Sequence, residues 1–467
     1  MITRRQLLKL SGSGMGMLAL ADLLDQDAHA AKLPALDLTR KSPHHKPRAK
    51  SVVLMMQNGG PSQMDLFDPK PLLQERSGKA HSIKVEMFQP GSENNVLLGS
   101  PFKFRKYGQS GLPFSDAVPN IAGQADNWCV IRSMHSGHNN HTEALVMFMT
   151  GKQFQGRPSF GSWISYGLGT ENQNLPAYIV LRDPAGYNTS GTLVWSAGWL
   201  PSIYSGTEFN AQGSPVLNLK SSRKLPKGVQ ATNLQFLAKL NRIHKKRYPL
   251  ESKLEARIQN YELAARMQLE ATKVLDISNE TAATRKLYGL DNPTTRKYGL
   301  RCLLARKLVE AGVRFVQIHP KPFQPWDTHS NTKQNLTSIC SNTDLPTAGL
   351  VQDLKQRGLL DETMVVWSGE FGRLPVSQNG TGRDHNRNAF SVLVAGGGFK
   401  SGVAYGATDE VGYKAAEKRV SMSDLHATIL HQMGLDHEEL IFEHAGREET
   451  LTDTSLTDAS VHHGLLG

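Results

Sequence analysis

Two apolar runs that are predicted to form strands flank a glycine-rich polar loop near the C-terminal end of the chain. The loop and the second run lie within residues 367–398, and the first run ends at residue 367. The first run, Met364 to Trp367, leads directly into the sequence Gly-Glu-Phe-Gly-Arg at 369–373, and the second covers Phe390 to Ala395. In open α/β sheets, sites form where strands end. This segment therefore predicts both a sheet and a site at its edge.

Apolar runs and helix-forming segments alternate along the chain, which is typical of a parallel sheet. Strands are predicted at 51–56, 128–132, 177–181, 313–319, 363–367 and 390–395, and helices at 142–150, 300–311, 345–358 and 423–433. A charged helical segment at 231–278 repeats apolar residues at spacings near 3.6, so one of its faces packs. The predicted fold class is α/β, a doubly wound, mostly parallel sheet with this helical segment outside it.

The same pattern predicts the domain organisation. One α/β domain covers residues 51–450 and carries a loop and helical insertion at 182–299. Residues 31–50 are polar and basic and are predicted to be a linker, and residues 451–467 a C-terminal tail.

The N-terminus has the features of an export signal. Thr3-Arg4-Arg5 precedes an apolar stretch, and Ala28-His29-Ala30 offers small residues to a signal peptidase. We expect residues 1–30 to be a twin-arginine signal peptide, the twin-arginine translocase to be a partner during export, and the mature protein to be periplasmic or secreted. The apolar stretch is too short and glycine-rich for a stable membrane span.

Composition limits the partners. The formal net charge is +11, yet no basic run is interleaved with aromatic residues. We expect an anionic substrate, either a small molecule or a polysaccharide ester, and no nucleic acid. The spacing of the three cysteines allows one disulfide without choosing the pair, and Cys129 and Cys302 fit buried core positions.

Carboxylates and imidazoles follow or precede three predicted strands. Asp327 and His329 follow one strand, Glu370 ends the next, and Asp384-His385 precede a third. Carboxylate with neutral imidazole suits zinc, manganese or iron better than calcium. The expected cofactor is a divalent metal: zinc, manganese or calcium. Each pair alone has another explanation, such as a helix cap, a loop pair or a salt bridge.

The segment from Leu350 to Arg373 resembles the late helix–strand unit of the alkaline phosphatase superfamily, which includes sulfatases and phosphopentomutases. Glu370-Phe371-Gly372 stands where that superfamily has a metal-binding Asp-His-Gly. The resemblance implies a metal-binding role for His385, and for Asp327 and His329. More closely, the twin-arginine leader, GGPSQMDLFDPKP at 59–71, GEFGR and GRDH resemble the bacterial family called domain of unknown function 1501 (DUF1501).

Two departures from the superfamily pattern concern the second metal and the nucleophile. Gln57-Asn58 replace the aspartate expected after the first strand, and Asp65 is a candidate substitute. Alignment on the helix ending in Thr150-Gly151 places His141 at the nucleophile position with Thr142 beside it. A metal-polarised Thr142 could attack an ester, and His141 could be a ligand or a general base.

The predicted catalytic residues are therefore Thr142, His141 and Arg373, the last of which could bind an anion bidentately or pair with Glu370. The predicted metal ligands are Asp327, His329, Glu370, Asp384, His385 and Asp65.

The resulting hypothesis is an exported, metal-dependent, sulfatase-like hydrolase of sulfate or phosphate esters. The alternative is a catalytically weak relative that binds a glycan or a surface partner. A phosphomutase is disfavoured, because export removes the protein from cytosolic sugar phosphates.

Overall fold

The computed structural model describes residues 38–211 and 252–467, with isolated positions between 232 and 247. The predicted signal peptide, the start of the predicted linker and most of residues 212–251 lie outside the described residues.

Seventeen strands are present in the described residues. In chain order, β1 to β17 are Ser51–Met56, Phe104–Tyr107, Leu112–Ser115, Trp128–His135, Tyr178–Leu181, Thr207–Glu208, Phe315–Ile318, Thr363–Ser368, Gly372–Arg373, His385–Asn386, Phe390–Ala395, Val403–Tyr405, Ala407–Thr408, Ala415–Glu417, Val420–Ser421, Phe442–His444 and Arg447–Glu449.

The helices of the described segments are mostly short, with three long exceptions. In chain order, α1 to α11 are Gln63–Leu66, Pro71–Glu75, Pro119–Gly123, His141–Thr150, Phe160–Leu168, Ser252–Val274, Ala282–Leu287, Pro293–Glu310, Thr332–Gln356, Met422–Gln432 and Thr454–Thr457. Single 3₁₀ turns lie at Ala125–Asn127, Gly191–Trp195, Ser202–Tyr204, Leu360–Glu362 and His463–Leu465.

A nine-stranded sheet organises the fold, with the order β12-β4-β11-β8-β1-β7-β5-β6 and with β15 also paired to β4. Every neighbouring pair is parallel except the two pairs made by β11, which runs antiparallel to both β4 and β8. The predicted α/β fold with a mostly parallel sheet is confirmed. Because β11 is reversed, its first residue lies at the edge where the parallel strands end.

The central strands are apolar along their whole length because both of their faces are covered. All six residues of β1, β8 and β11 are buried. Five tryptophans are buried in the same core: Trp128, Trp163, Trp195, Trp326 and Trp367. Cys129, Cys302 and Cys340 are also buried and unpaired.

Helix α6 covers the described part of the predicted helical segment. Leu263, Met267 and Ala271 are buried at spacings of four residues, so one stripe of the helix packs. Asn260 bonds Ser202 at 3.0 Å. Within the predicted insertion, Thr207–Glu208 (β6) pairs with β5 at the end of the sheet.

Both predicted terminal segments contact the α/β body in their described parts. The N–H groups of Arg48 and Ala49 each donate to the carbonyl of Gln432 at 2.9 Å. At the other end, Gly467 donates to the carbonyl of Gly398, and Leu465 is buried. The domain boundaries stay a prediction.

Candidate metal centre

Strand ends bring the predicted residues to one edge of the sheet. Asp327 and His329 follow β7, Glu370 follows β8, and His141 follows β4. His385 precedes the reversed strand β11 and pairs with Arg373 in the short ladder between β10 and β9. This topology explains how residues separated by more than two hundred positions meet.

The carboxylate of Asp327 lies at the middle of the group. Its Oδ1 is 2.6 Å from Arg373 Nη2, 2.8 Å from His329 Nε2 and 3.3 Å from His385 Nε2. Its Oδ2 is 3.4 Å from His141 Nε2. The two nitrogens His329 Nε2 and His385 Nε2 are 3.1 Å apart. The predicted convergence of Asp327, His329 and His385 is therefore confirmed.

The hydrogen bonds at the far side of each imidazole assign its tautomer. Nδ1 of His385 is 2.7 Å from the carbonyl of Asn139, and Nδ1 of His329 is 2.5 Å from Gln378 Oε1. Nδ1 of His141 is 2.6 Å from Glu370 Oε1. These oxygens only accept, so each Nδ1 carries hydrogen and, in the neutral ring, each Nε2 presents a lone pair.

The hydrogen bond made by the amide nitrogen of Gln378 determines the orientation of its amide group. Its Nε2 donates to the carbonyl of Pro90 at 2.8 Å, which leaves Oε1 facing His329. Gln378 is 2% exposed, so this amide is a fixed partner for the imidazole.

When the three rings are neutral, three Nε2 lone pairs and a carboxylate face one another, an arrangement that repels unless a cation, either a metal ion or an added proton, joins it. His141 Nε2 is buried and has no hydrogen-bond partner, since 3.4 Å to Asp327 exceeds an ordinary hydrogen bond. Ligand atoms of His141, Asp327 and His385 lie within 4.8 Å of one another, as do those of His329, Asp384 and His385. Neutral imidazoles oriented from behind by oxygen acceptors are the usual surroundings of a bound metal. The residues fit a divalent metal.

Electrostatics keep Asp327 ionised and shift the pKa values of His385 and His141 in opposite directions. Burial acts to raise the pKa of Asp327, but Arg373 and the three histidines outweigh it and hold that pKa far below its usual range. Burial, with help from Arg373 and His141, lowers the pKa of His385 to about 4. Burial also acts to lower the pKa of His141, but its contacts with Asp327 and Glu370 raise it. Near neutral pH, His385 is a lone-pair donor.

Glu370 is held beneath His141 by the turn after β1. The N–H of Gly59 donates to both Glu370 oxygens, at 2.8 and 3.1 Å. Gly59 has φ +114°, and a Cβ there would lie 2.7 Å from the backbone nitrogens of Trp326 and Asp327. Only glycine fits so close to the backbone that carries the central aspartate.

The guanidinium of Arg373 is fully buried and surrounded by protein oxygens. It donates to the carbonyls of Gly59, Gly60 and Arg383 as well as to Asp327. These hydrogen bonds connect the turn after β1 to Asp327. Its predicted role in binding an anionic substrate stays a prediction.

The remaining predicted residues lie at the margin of the group. Asp65 forms a buried pair with Arg383, with Oδ2 2.7 Å from Nε. Asp384 accepts hydrogen bonds from the N–H groups of Phe88, Gln89 and His385 at 2.7 to 2.8 Å. Thr142 is the second residue of α4, and its N–H donates to the capping side chain of Asn140.

A family match covers almost the whole described body. The sequence matches the model of the family described as "Protein of unknown function (DUF1501)" over residues 49–465. The chain is a DUF1501 protein. No curated protein sequence matches it.

Solved structures similar to this DUF1501 protein share little sequence with it. The lipoteichoic acid synthase LtaP from Listeria monocytogenes is 8% identical, with 90% of this chain and 79% of that chain covered and a TM-score of 0.36. The PsFucS1 sulfatase from Pseudoalteromonas sp. is 13% identical, with coverage of 88% and 72% and a TM-score of 0.34. The phosphonate monoester hydrolase SpPMH from Silicibacter pomeroyi is 11% identical, with coverage of 74% and 72% and a TM-score of 0.33.

Sequence reasoning missed the residues that orient the ligands of this DUF1501 protein. Gln378 lies in a loop without a recognisable motif, and Asn139 acts through its backbone carbonyl, which no residue type reveals. Phe88, which stacks on His385 with ring centroids 4.8 Å apart, comes from a region with no predicted element. His426, in α10, donates from Nε2 to the carbonyl of Phe148 at 2.7 Å and lies in the core.

Proposed function

We propose that this protein is a metal-dependent hydrolase of sulfate or phosphate esters, with the metal held by Asp327, His329 and His385 and by His141 beside them. The observation that carries the proposal is the convergence of three imidazole Nε2 atoms on one carboxylate, with each Nδ1 held by an oxygen acceptor. Sulfatase and phosphatase chemistry also agrees with the resemblance of the late helix–strand unit.

The ligand set favours some metals over others. Three imidazoles and one or two carboxylates suit zinc, manganese or iron, whereas calcium takes six to eight oxygen ligands. Of the predicted cofactors, zinc and manganese therefore fit better than calcium. When bound, such a metal supplies a Lewis acid and a water of lowered pKa.

Residues of the chain orient the imidazole rings of this centre and leave one side of it accessible to solvent. Gln378 and the Asn139 carbonyl fix His329 and His385, while Glu370 fixes His141. The side chains of Asp327 and His329 are 18% and 23% exposed, so a substrate reaches the centre from their side. Thr142 remains the proposed nucleophile, with direct attack by water as the alternative.

Metal analysis of the purified protein, combined with assays on aryl sulfates and aryl phosphates, tests the proposal. We expect about one divalent metal per chain and turnover of at least one ester class. His385→Ala should lose both, whereas His463→Ala, at an exposed position, should lose neither. Metal-free wild-type protein, prepared without chelators, would contradict the metal centre.

A second candidate function, binding without turnover, is favoured by the turn after β1. The side chain of Asn58, where the superfamily has an aspartate, donates to the carbonyl of Phe323 and contacts His319 Nδ1 at 3.0 Å. Gln57 bonds Tyr298 and Trp326. These two amides serve the loop structure, so a second metal would lack that ligand. Metal without turnover on the whole ester panel would support this candidate.

We also propose export through the twin-arginine translocase, with a periplasmic or secreted mature protein. The support is the order Arg4-Arg5, apolar stretch and Ala-x-Ala, and the described residues contain no helix long and apolar enough to cross a membrane. Replacing Arg4 and Arg5 by Lys should leave the precursor in the cytoplasm. Fractionation that still finds mature protein outside the inner membrane would refute this route.

A further inference from the structure

A cleft lined by polar and aromatic side chains lies where β5 and β6 end. Its volume is about 530 Å³, and its walls include Arg182, Tyr187, Trp195, Glu208 and Asn210. Serine and threonine hydroxyls complete the lining, at Thr192, Ser196 and Ser205. None of these residues belongs to the metal-binding group.

Two hydrogen bonds connect the loops around the cleft to segments that carry residues of the metal-binding group. On one side, the hydroxyl of Ser190 donates to the carbonyl of Thr142 at 3.3 Å, in the helix that begins with His141. On the other side, the N–H of Phe323 donates to the carbonyl of Tyr187 at 2.8 Å, four residues before Asp327. The loops around the cleft therefore contact the two segments that carry His141 and Asp327.

The charges of the cleft are internally matched. Arg182 Nε is 2.6 Å from Glu208 Oε2, and the guanidinium lies 4.0 Å from the ring centroid of Tyr187. Because the carboxylate neutralises the guanidinium, the cleft does not favour an anion. A mixture of donors and acceptors with paired charge suits a neutral molecule rich in hydroxyl groups, each of which both donates and accepts.

Phe323 stands between the cleft and the centre in an unusual conformation. Its φ is +57°, in the left-handed region that a bulky residue rarely adopts, and its side chain is 68% exposed. Hydrogen bonds to both of its backbone groups, from Asn58 and to Tyr187, hold it there. Strain that is retained by surrounding bonds is typical of ligand-binding positions. The strained backbone leaves a large apolar ring open to solvent beside the centre.

We propose that this cleft, together with Phe323, binds the sugar rings of a polysaccharide ester. The inference rests on the proposed function and names its substrate class. The cleft takes ring hydroxyls through Glu208 and its hydroxyl-bearing walls, and Phe323 packs against the apolar face of a sugar ring. The ester group itself then lies at Asp327.

Affinity electrophoresis in gels containing a sulfated galactan, a xylan or a dextran tests the proposal without requiring catalysis. In the presence of EDTA, we expect the wild type to be retarded by at least one polysaccharide. Phe323→Ala and Glu208→Gln should each weaken that retardation about fivefold or more, and Phe323→Trp should preserve it. Phe154→Ala is the matched control, because Phe154 is also 68% exposed but lies in another loop.

This experiment tests the glycan-binding proposal separately from the hydrolase proposal. Retardation lost in the two cleft variants supports the glycan site even where no ester is turned over. If no polysaccharide retards the wild type, or if both cleft variants behave as wild type, the glycan site is refuted while the metal and turnover assays stand unchanged. A far-ultraviolet circular dichroism spectrum matching that of the wild type shows that each variant is folded.

Discussion

Two clusters in this protein each gather several ionisable side chains around one central charge, and they differ in how the partners match that charge. Around Arg306, in α8, Glu310, Glu280 and Asp353 lie 2.5, 2.6 and 3.0 Å from the guanidinium. Around Asp327, three imidazole nitrogens lie within 3.4 Å of the carboxylate. In the first cluster a guanidinium faces carboxylates, whereas in the second, beside Arg373, imidazole rings turn their Nε2 atoms towards a carboxylate.

The difference shows which buried charges indicate a ligand. Burial acts to lower the pKa of Arg306, but the carboxylates around it raise that pKa, so oppositely charged groups of the chain already face each other in this cluster. At Asp327 only Arg373 supplies a fixed positive charge, and its other donors serve backbone carbonyls. Unmatched lone pairs, and not burial or charge alone, therefore mark the functional site.

Removing the cation from the matched cluster should give the largest change in stability. Arg306→Ala leaves three carboxylates close together and should lower the free energy of unfolding by about 3–5 kcal/mol. Urea denaturation measures this, and metal content per folded chain should stay unchanged. The control is Arg357→Ala, which touches Glu310 and Asp353 from a position 36% exposed and should cost about 1 kcal/mol or less. Equal losses in the two variants would contradict the comparison.

His426 tests a buried histidine that has no carboxylate partner in contact. Burial lowers its pKa to about 4, against an ordinary value near 6.5. The unfolded chain then binds a proton that the folded chain rejects, so its contribution is present above pH 6.5 and is lost as pH falls towards 4. One pKa unit corresponds to about 1.4 kcal/mol, so we expect a loss of roughly 3 kcal/mol over this range.

Denaturation curves at several pH values check this expectation. His426→Gln should be less stable at pH 7 but should show a flatter dependence between pH 6.5 and 4. A variant with the same slope as the wild type would assign the acid sensitivity to other groups.

Much of the fold could be predicted from the sequence because buried strands are apolar throughout. Ser51–Met56 and Phe390–Ala395 have the predicted bounds, and the other predicted strands differ by one to three residues at an end. Helix α9 starts at Thr332, thirteen residues before the predicted start, because its first half is polar and carries no clear apolar period. The hairpin of β2 and β3 was not predicted, since both strands are only four residues long and the residues of β2 are partly or fully exposed.

From the sequence, a site residue could be predicted only where its residue type and its position at a strand end determine its place. Asp327, His329 and His385 converge as expected, because parallel strands end at one edge and β11 starts there. The places of Asp65 and Asp384 depend on partners far along the chain, Arg383 and the backbone of Phe88, which strand position does not reveal. Which histidine nitrogen faces the centre depends on Gln378 and on the Asn139 carbonyl, and these contacts exist only in the folded chain.

The smallest expected effect comes from the amide behind His329. Gln378→Ala removes the acceptor that holds hydrogen on Nδ1 of His329, so the imidazole can turn or change tautomer. Loss of such an orienting partner typically lowers metal affinity 10–100-fold, or about 1.4–2.7 kcal/mol. Gln378→Glu keeps an acceptor oxygen and should restore affinity towards the wild-type value, although it gives up the bond to Pro90. Competition with a chelating dye measures the affinities, and denaturation in EDTA separates them from stability. If Gln378→Ala bound metal as tightly as the wild type, the lone pair of His329 would not be needed at the centre, and the contrast with the Arg306 cluster would rest on His141 and His385 alone.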